Sequence, residues 1–368
     1  MKYYLIAGEA SGDLHGANLL KELAQADTNL EVRAWGGDRM QAQGATIVKH
    51  YCELAFMGFW EVAKNIRTIF NNIKTCKEDI LAFKPDALIL IDYPGFNLRI
   101  ATWAKQQGIP IHYYISPQVW AWKENRVQQM AKVIDYLYVI LPFEKAFFEQ
   151  KHQMPVDFVG HPLLDEIHQF EAGVEADFRN EHGLPKDKPI VALLPGSRAQ
   201  EVKKMLAIMV STASSFTDYC FVVAAAPHLD DALFEGLPVY VVRNNTYKLL
   251  AYAKAALVTS GTATLETALF EVPQVVCYKT SVLSYAIGKQ VVKLPYISLV
   301  NLILNADAVP ERIQGECRPA QLQKDLDAIL HGAERTAQIN AYKKLKKTLG
   351  GYGASKKTAN LINQRTNA

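Results

Sequence analysis

Four short clusters combine reactive residue types with the punctuation that ends a strand and opens a helix. The first is Gly8-Glu9-Ala10-Ser11-Gly12-Asp13-Leu14-His15-Gly16. Its glycines let backbone approach a ligand closely. Ser11 or Asp13 suffices to cap the following helix, which leaves Glu9 as a carboxylate at the mouth of a sheet, placed to meet hydroxyls. The spacing is not G-x-G-x-x-G, so the dinucleotide fingerprint is absent. The second cluster, Leu90-Ile91-Asp92-Tyr93-Pro94-Gly95-Phe96-Asn97, ends a buried strand at Asp92 and offers Asn97 as a cap for the next helix. A partly desolvated carboxylate there can act as a general base, or can merely partner the cap. In the third, Leu194-Pro195-Gly196-Ser197-Arg198, Gly196 and Ser197 free the N–H groups of a helix start, and Arg198 adds a fork suited to phosphate. The Lys and length of a P-loop are missing. In the fourth, Ser260-Gly261-Thr262-Ala263-Thr264-Leu265-Glu266, hydroxyls and N–H groups again meet at a helix start. Glu266 lies one turn in, able to accept two ribose hydroxyls or to serve as an ordinary first-turn acid. Two anion-friendly loops point to a diphosphate-linked nucleotide.

The elements that must position these clusters alternate along the chain. Strand-length apolar runs occur at 3–7, 32–35, 87–92, 111–115 and 136–141, with helix-period stretches at 14–25, 60–83, 97–107, 123–132 and 143–151. A polar stretch from Leu163 to Lys188 reads as a linker with one short helix. Alternation then resumes, with strands at 190–194, 220–224, 239–242, 256–259 and 275–278 and helices at 199–214, 247–253 and 264–270. This is an α/β chain with parallel sheets covered by helices. The expected organisation is two Rossmann-like domains facing a cleft: residues 1–165, residues 172–345, and a basic C-terminal segment, 346–368. Two helices near 333–348 and 355–363 flank Gly350-Gly351-Tyr352-Gly353, so the last can fold back on the first domain or reach a partner chain.

Length and composition agree. The 368 residues suit two or three domains, and 49% hydrophobic with 21% charged residues excludes a disordered chain. The first residues are too briefly apolar for a signal peptide, and no run suits a membrane span. The five cysteines show no C-x-x-C spacing, so reduced thiols in a cytoplasmic protein are expected. Net charge is +3, but from Lys343 onward there are six Lys, one Arg and no acid. Such a tail suits an anionic partner or is a solvated lysine face. No metal site is expected: the one D-x-D, Asp325-Leu326-Asp327, reads as a solvated helix face, and the histidines lack ligand spacing.

Taken in order, the clusters resemble the lipid-A-disaccharide synthase family, bacterial glycosyltransferases of the two-Rossmann-domain (GT-B) type. Further matching pieces are Tyr114-Ile115-Ser116-Pro117-Gln118-Val119-Trp120-Ala121-Trp122, Leu141-Pro142-Phe143-Glu144, Val159-Gly160-His161-Pro162 and Ser298-Leu299-Val300-Asn301-Leu302. Val300 and Gly95 depart from the family's usual Pro and acid. The resemblance implies transfer of a sugar from UDP-2,3-diacylglucosamine to 2,3-diacylglucosamine 1-phosphate with inversion, giving a β(1→6) disaccharide 1-phosphate and UDP. It implies Asp92 as base with Glu9 as helper. Gly196, Ser197, Arg198, Ser260, Gly261, Thr262, Glu266 and Asn301 fall on the UDP-sugar side, and Ser11, Asp13, Asn97 and Ser116 on the acceptor side. It requires no cofactor, metal or nucleic acid, and allows a homodimer through the C-terminal helix. An isomerase like UDP-N-acetylglucosamine 2-epimerase shares the two-domain plan, and a non-catalytic nucleotide-sugar or lipid-binding protein is the other alternative.

Acylated substrates bring a membrane surface into the expectation. Phe59, Val62, Ile66, Ile69, Phe70, Ile73 and Ile80 recur at helical spacing, with Lys64, Arg67, Lys74 and Lys77 off the stripe. Such a stripe is ordinarily core. The resemblance instead suggests peripheral contact with the inner face of the inner membrane through Phe59, Trp60, Ile66 and Phe70, helped by the basic tail.

Overall fold

The structure is a computed structural model that describes residues 1–54, 66–291 and 294–367, without the side chains of 66, 67, 282–284, 287 and 291. It divides into two compact units, Met1–Asp165 with Leu349–Ala368, and Glu166–Thr348.

Unit 1 is built on a parallel sheet of seven strands: β1 (Lys2–Ala7), β2 (Glu31–Gly36), β3 (Thr46–His50), β4 (Ala87–Ile91), β5 (Ile111–Tyr114), β6 (Tyr136–Val139) and β7 (Asp157–Phe158). Their spatial order is β3-β2-β1-β4-β5-β6-β7, so the chain reverses direction across the sheet between β1 and β4. The central strands are apolar throughout because helices cover both faces: every residue of Ala87–Ile91 is inaccessible. Burying each Ile or Leu there contributes about 1.5–3 kcal/mol.

Unit 2 repeats the plan with β8 (Ile190–Leu194), β9 (Cys220–Ala225), β10 (Tyr240–Arg243), β11 (Ala253–Thr259), β12 (Gln274–Tyr278) and β13 (Glu311–Ile313). The order is β10-β9-β8-β11-β12-β13, with the reversal between β8 and β11. The stretch expected to be a linker with one helix holds two, Pro162–Gln169 and Glu175–Glu181.

The Ala354–Thr366 helix belongs to unit 1 and packs on the Ala10–Ala26 helix. Asp165 caps its start, accepting from the N–H groups of Gly353, Ala354 (3.3 Å) and Ser355 (2.9 Å). At its far end Arg365 stacks 4.6 Å from the Tyr136 ring and pairs with Asp157 at 2.6 Å.

The expected apolar stripe splits in the Ile66–Phe83 helix. Ile73, Cys76 and Ile80 are buried in the core of unit 1 and Ile69 packs on it, whereas Phe70 and Leu81 are exposed. Phe59 and Trp60 lie outside the described residues, as does the Ile66 side chain. No helix among the described residues is long and apolar enough to cross a membrane.

Candidate active site

In an open parallel sheet, ligands gather at the carboxyl ends of the strands where the chain reverses. In unit 1 that place lies between β1 and β4, which end in Gly8-Glu9 and Asp92-Tyr93. Asp92 and Tyr93 both adopt left-handed backbone, with φ 42° and 48°. For non-glycine residues this costs roughly 1–2 kcal/mol each, so neighbours must hold the turn. The Asp92 N–H donates to the Tyr114 carbonyl at 3.1 Å. The Asp92 carbonyl accepts from Asn97 Nδ2 at 2.7 Å and from the Tyr113 hydroxyl at 2.6 Å. The Tyr93 ring then lies against β1 so closely that a Cβ at Gly8 would sit 2.3 Å from it. Only glycine fits at that strand end.

This clamp presents the Asp92 carboxylate outward. The residue is exposed to solvent but crowded by surrounding protein. Desolvation, with the Glu9 charge adding, raises its carboxyl to about 6. Glu9 is exposed at the N-cap position of the Ala10–Ala26 helix, where its side chain caps nothing. Two acids, one tuned toward neutrality, therefore meet at the reversal point. Backbone strain at a reactive group is a recurrent feature of functional sites.

Other acceptor-side expectations are corrected. Asp13 is buried and accepts from the N–H groups of Gly37 (2.7 Å), Arg39 (3.1 Å) and Met40 (3.2 Å), so it caps the short Asp38–Ala42 helix. Neither Ser11 nor Asp13 caps the Ala10–Ala26 helix; Ser11 is exposed on its first turn. Asn97 does not cap its own helix: its amide donates to the carbonyls of Ile6, Ile91 and Asp92, tying β1 to β4. Ser116 is buried and donates to the Pro117 carbonyl at 3.0 Å. Asp13, Asn97 and Ser116 are thus buried and bonded within the protein.

Glu144, unremarked from the sequence except within its motif, is buried and accepts from the N–H groups of Ile140 (3.2 Å) and Leu141 (2.9 Å) and from Trp120 Nε1 (3.0 Å). It ties the Val119–Trp122 helix to the turn after β6. Burial raises its carboxyl to about 7. Its place three residues after Leu141, from whose N–H it accepts, makes it the acidic half of a capping box, the one local signal that could have marked it.

In unit 2 the reversal lies between β8 and β11. A pocket of about 230 Å³ opens there, lined among others by Gly196, Ser197, Ser260, Gly261, Thr262 and Glu266. Gly196 has φ 110°, which turns the chain into the Ala199–Ala213 helix. The Thr262–Leu269 helix starts on the other side, so the two helix starts offer free N–H groups to an anion. Burial, then the Glu166 charge, raises Glu266 to about 7, and the Tyr247 hydroxyl bonds to it. Arg198 stays outside the pocket lining, 70% exposed and 3.4 Å from Glu201. Ser260 Oγ donates to the Ile297 carbonyl at 2.8 Å.

Asn301 is corrected. It is buried, with Nδ2 donating to the Val309 carbonyl and Glu311 Oε1 and Oδ1 accepting from the Ala308 and Val309 N–H groups, all at 2.9 Å. Its bonding capacity is spent bracing a loop. Glu311, not anticipated, also accepts from the N–H groups of Ile297 and Ser298. Asp325 is corrected too: it is buried and grips Arg312 in a two-pronged pair at 2.6 and 2.8 Å. A larger cavity, about 700 Å³, lies beside these residues at the β13 edge. It is not at the β8–β11 reversal, and Glu311 and Asp325 there are already bonded, so the smaller pocket is the better site. Among the described residues no three side chains are grouped to hold a metal ion.

Comparisons with known proteins agree with the fold. A solved UDP-GlcNAc 2-epimerase from Neisseria meningitidis matches with TM-score 0.67 at 12% identity, covering 99% of each chain. A kitacinnamycin glycosyltransferase matches with TM-score 0.68 at 14% identity, covering 99% of this chain and 98% of the other. At such identities the likeness is one of fold, the two-Rossmann GT-B plan. Sequence comparison decides further. The Lipid-A-disaccharide synthase of Syntrophus aciditrophicus is 40% identical over 96% of this chain and 95% of its own. That of Geobacter metallireducens is 36% identical over 97% and 95%. The family model for Lipid-A-disaccharide synthetase matches residues 3–364, nearly the whole chain, and the chain belongs to that family.

Proposed function

We propose that the chain transfers 2,3-diacylglucosamine from its UDP derivative to O6 of 2,3-diacylglucosamine 1-phosphate, with Asp92 as general base. The observation that carries this is the strained, clamped Asp92 at the β1–β4 reversal, an outward carboxyl tuned to about 6. A base with that value is ionised at neutral pH yet still able to take a proton. The acceptor O6 attacks C1 of the donor, the C1–O bond to UDP breaks, and the O6 proton passes to Asp92. One in-line displacement converts an α donor to a β(1→6) product. The pocket in unit 2 suits the UDP. Its two helix starts and Arg198 on the rim stabilise the charge that develops on the leaving diphosphate, and Glu266 is placed to accept ribose hydroxyls. Glu9 serves as a second acceptor-side carboxylate.

A peripheral membrane contact belongs to the same reading, because both substrates are acylated. Phe70 and Leu81 are exposed and about three helical turns apart, hence on one face, with Lys74 and Lys77 beside them. Adsorption to anionic vesicles that falls with salt, and falls again in Phe70→Ser, supports the contact; adsorption indifferent to both removes it.

The reaction is tested by incubating purified protein with both acylated sugars and following UDP and disaccharide. Equimolar UDP and a β(1→6) product are expected. Conversion of UDP-N-acetylglucosamine alone to its 2-epimer would establish the isomerase instead.

A further inference from the structure

We propose that Lys123 and Arg126 form the subsite for the phosphate monoester of the acceptor, an assignment that rests on the transfer reading above. The segment from Ile115 to Arg126 leaves the carboxyl end of β5, the strand next to β4, so it borders the same mouth as Asp92. It ends in two short turns, Val119–Trp122 and Glu124–Arg126, pinned from below by the Glu144–Trp120 bond. Lys123 Nζ lies 4.2 Å from the centre of the Trp122 ring, and Trp122 is half exposed. Both cations are only half-buried.

Among the described residues neither cation has an ion pair, and the acid between them, Glu124, is taken by Lys151 at 2.6 Å and His152 at 2.9 Å. Burial and the charge of Arg126 push the Lys123 ammonium down, a mutual repulsion that a dianion would relieve. The charge of Arg126 is also felt at the Tyr113 hydroxyl, the group that clamps the Asp92 carbonyl. The cations thus share the strand-end face of the sheet with the base. A hexosamine 1-phosphate carries its phosphate on C1 and its C6–O6 arm on C5, the two carbons that flank the ring oxygen, so one acceptor can present O6 and phosphate at the same mouth. The open indole face of Trp122 is available to the sugar between them. Fork and ammonium together suit a terminal phosphate, which presents three oxygens.

The test compares wild type with K123Q/R126Q on the acceptor with and without its 1-phosphate. Losing two charge-assisted contacts should raise KM for the phosphorylated acceptor by about tenfold or more. Turnover of the dephosphorylated acceptor and UDP affinity should change little. Equal loss on both acceptors, unchanged KM, or lost UDP affinity would each overturn the subsite. So would intact acceptor discrimination accompanied by lost adsorption to anionic vesicles, which would assign the cations to headgroups. Direct titration with glucosamine 1-phosphate reads the subsite without turnover. Unchanged binding in the variant sinks the phosphate assignment, whereas a wild type that binds but makes no disaccharide sinks the transfer reading. If the double variant does not fold, K123Q alone carries the same comparison.

Discussion

At the scale of single residues, the site depends on side chains that hold backbone in place. Tyr113 and Asn97 hold the Asp92 carbonyl, and through it a backbone that Asp92 and Tyr93 would not adopt alone. Tyr113→Phe removes one of two bonds to a strained carbonyl. We expect turnover to fall while UDP affinity, measured by calorimetry, stays at the wild-type value; a parallel loss of both would place Tyr113 in general stability instead. Arg198 is the opposite case. Its pair with Glu201 is exposed, and such pairs add little to folding. Arg198→Ala should leave the unfolding temperature unchanged and weaken UDP binding by about tenfold, the loss of one charge-assisted bond. Unchanged UDP affinity would put the diphosphate elsewhere. The strand-end positions of Glu9, Asp92 and the Gly196–Arg198 and Ser260–Thr262 loops, with Glu266 a turn further on, were legible because each follows an apolar strand with a turn signal. The structural roles of Asp13, Asn97 and Asn301 were not. Their partners are backbone groups that only the folded chain brings near, as when the amide of Asn97 reaches the Ile6 carbonyl from 91 positions away.

At the scale of elements, the central strands and the β10 edge were legible, and the other three edges were not. Ile190–Leu194 is uniformly apolar because both faces are covered, and sequence shows that directly. β3 is half-buried, β7 has two residues and β13 has three, so none carries a periodic signal. Missing β13 also hid the partner of Asp325, which was why that acid looked solvated. The C-terminal helix was legible as a helix, but its anchor was not. Asp165 caps it from 190 positions away in sequence, as measured to Ser355. Asp165→Ala should cost about 0.5–2 kcal/mol, the usual loss for an N-cap. The helix should then become the first site cut by limited proteolysis; an unchanged cleavage pattern would show that packing on the Ala10–Ala26 helix alone holds it.

At the scale of the whole molecule, the two units should respond differently to acid. Burial pushes three histidines of unit 1 below their ordinary value near 6.5, His15 to about 4, His112 to about 4 and His161 to about 3. Between those values and 6.5 the unfolded chain binds more protons than the folded one, so stability falls as pH drops through 6.5. Asp92 and Glu144, raised to about 6 and 7, work in the opposite direction but are two against three. In unit 2 the raised Glu266 favours the folded state on acidification. Hydrogen exchange at pH 7 and 5.5, corrected for intrinsic rates, should show protection lost from the strands of unit 1 and kept in those of unit 2. Equal loss in both would mean that the buried histidines do not govern acid sensitivity. The central claim is that Asp92 is the base of a glycosyl transfer, and the pH dependence of kcat/KM with both acylated sugars tests it most directly. Wild type should lose activity about tenfold per unit below pH 6, as Asp92 is protonated. Asp92→Asn should be slower by about 100-fold or more with that limb abolished and UDP binding intact. A near-normal rate in Asp92→Asn, with the acid limb still at pH 6, would contradict it.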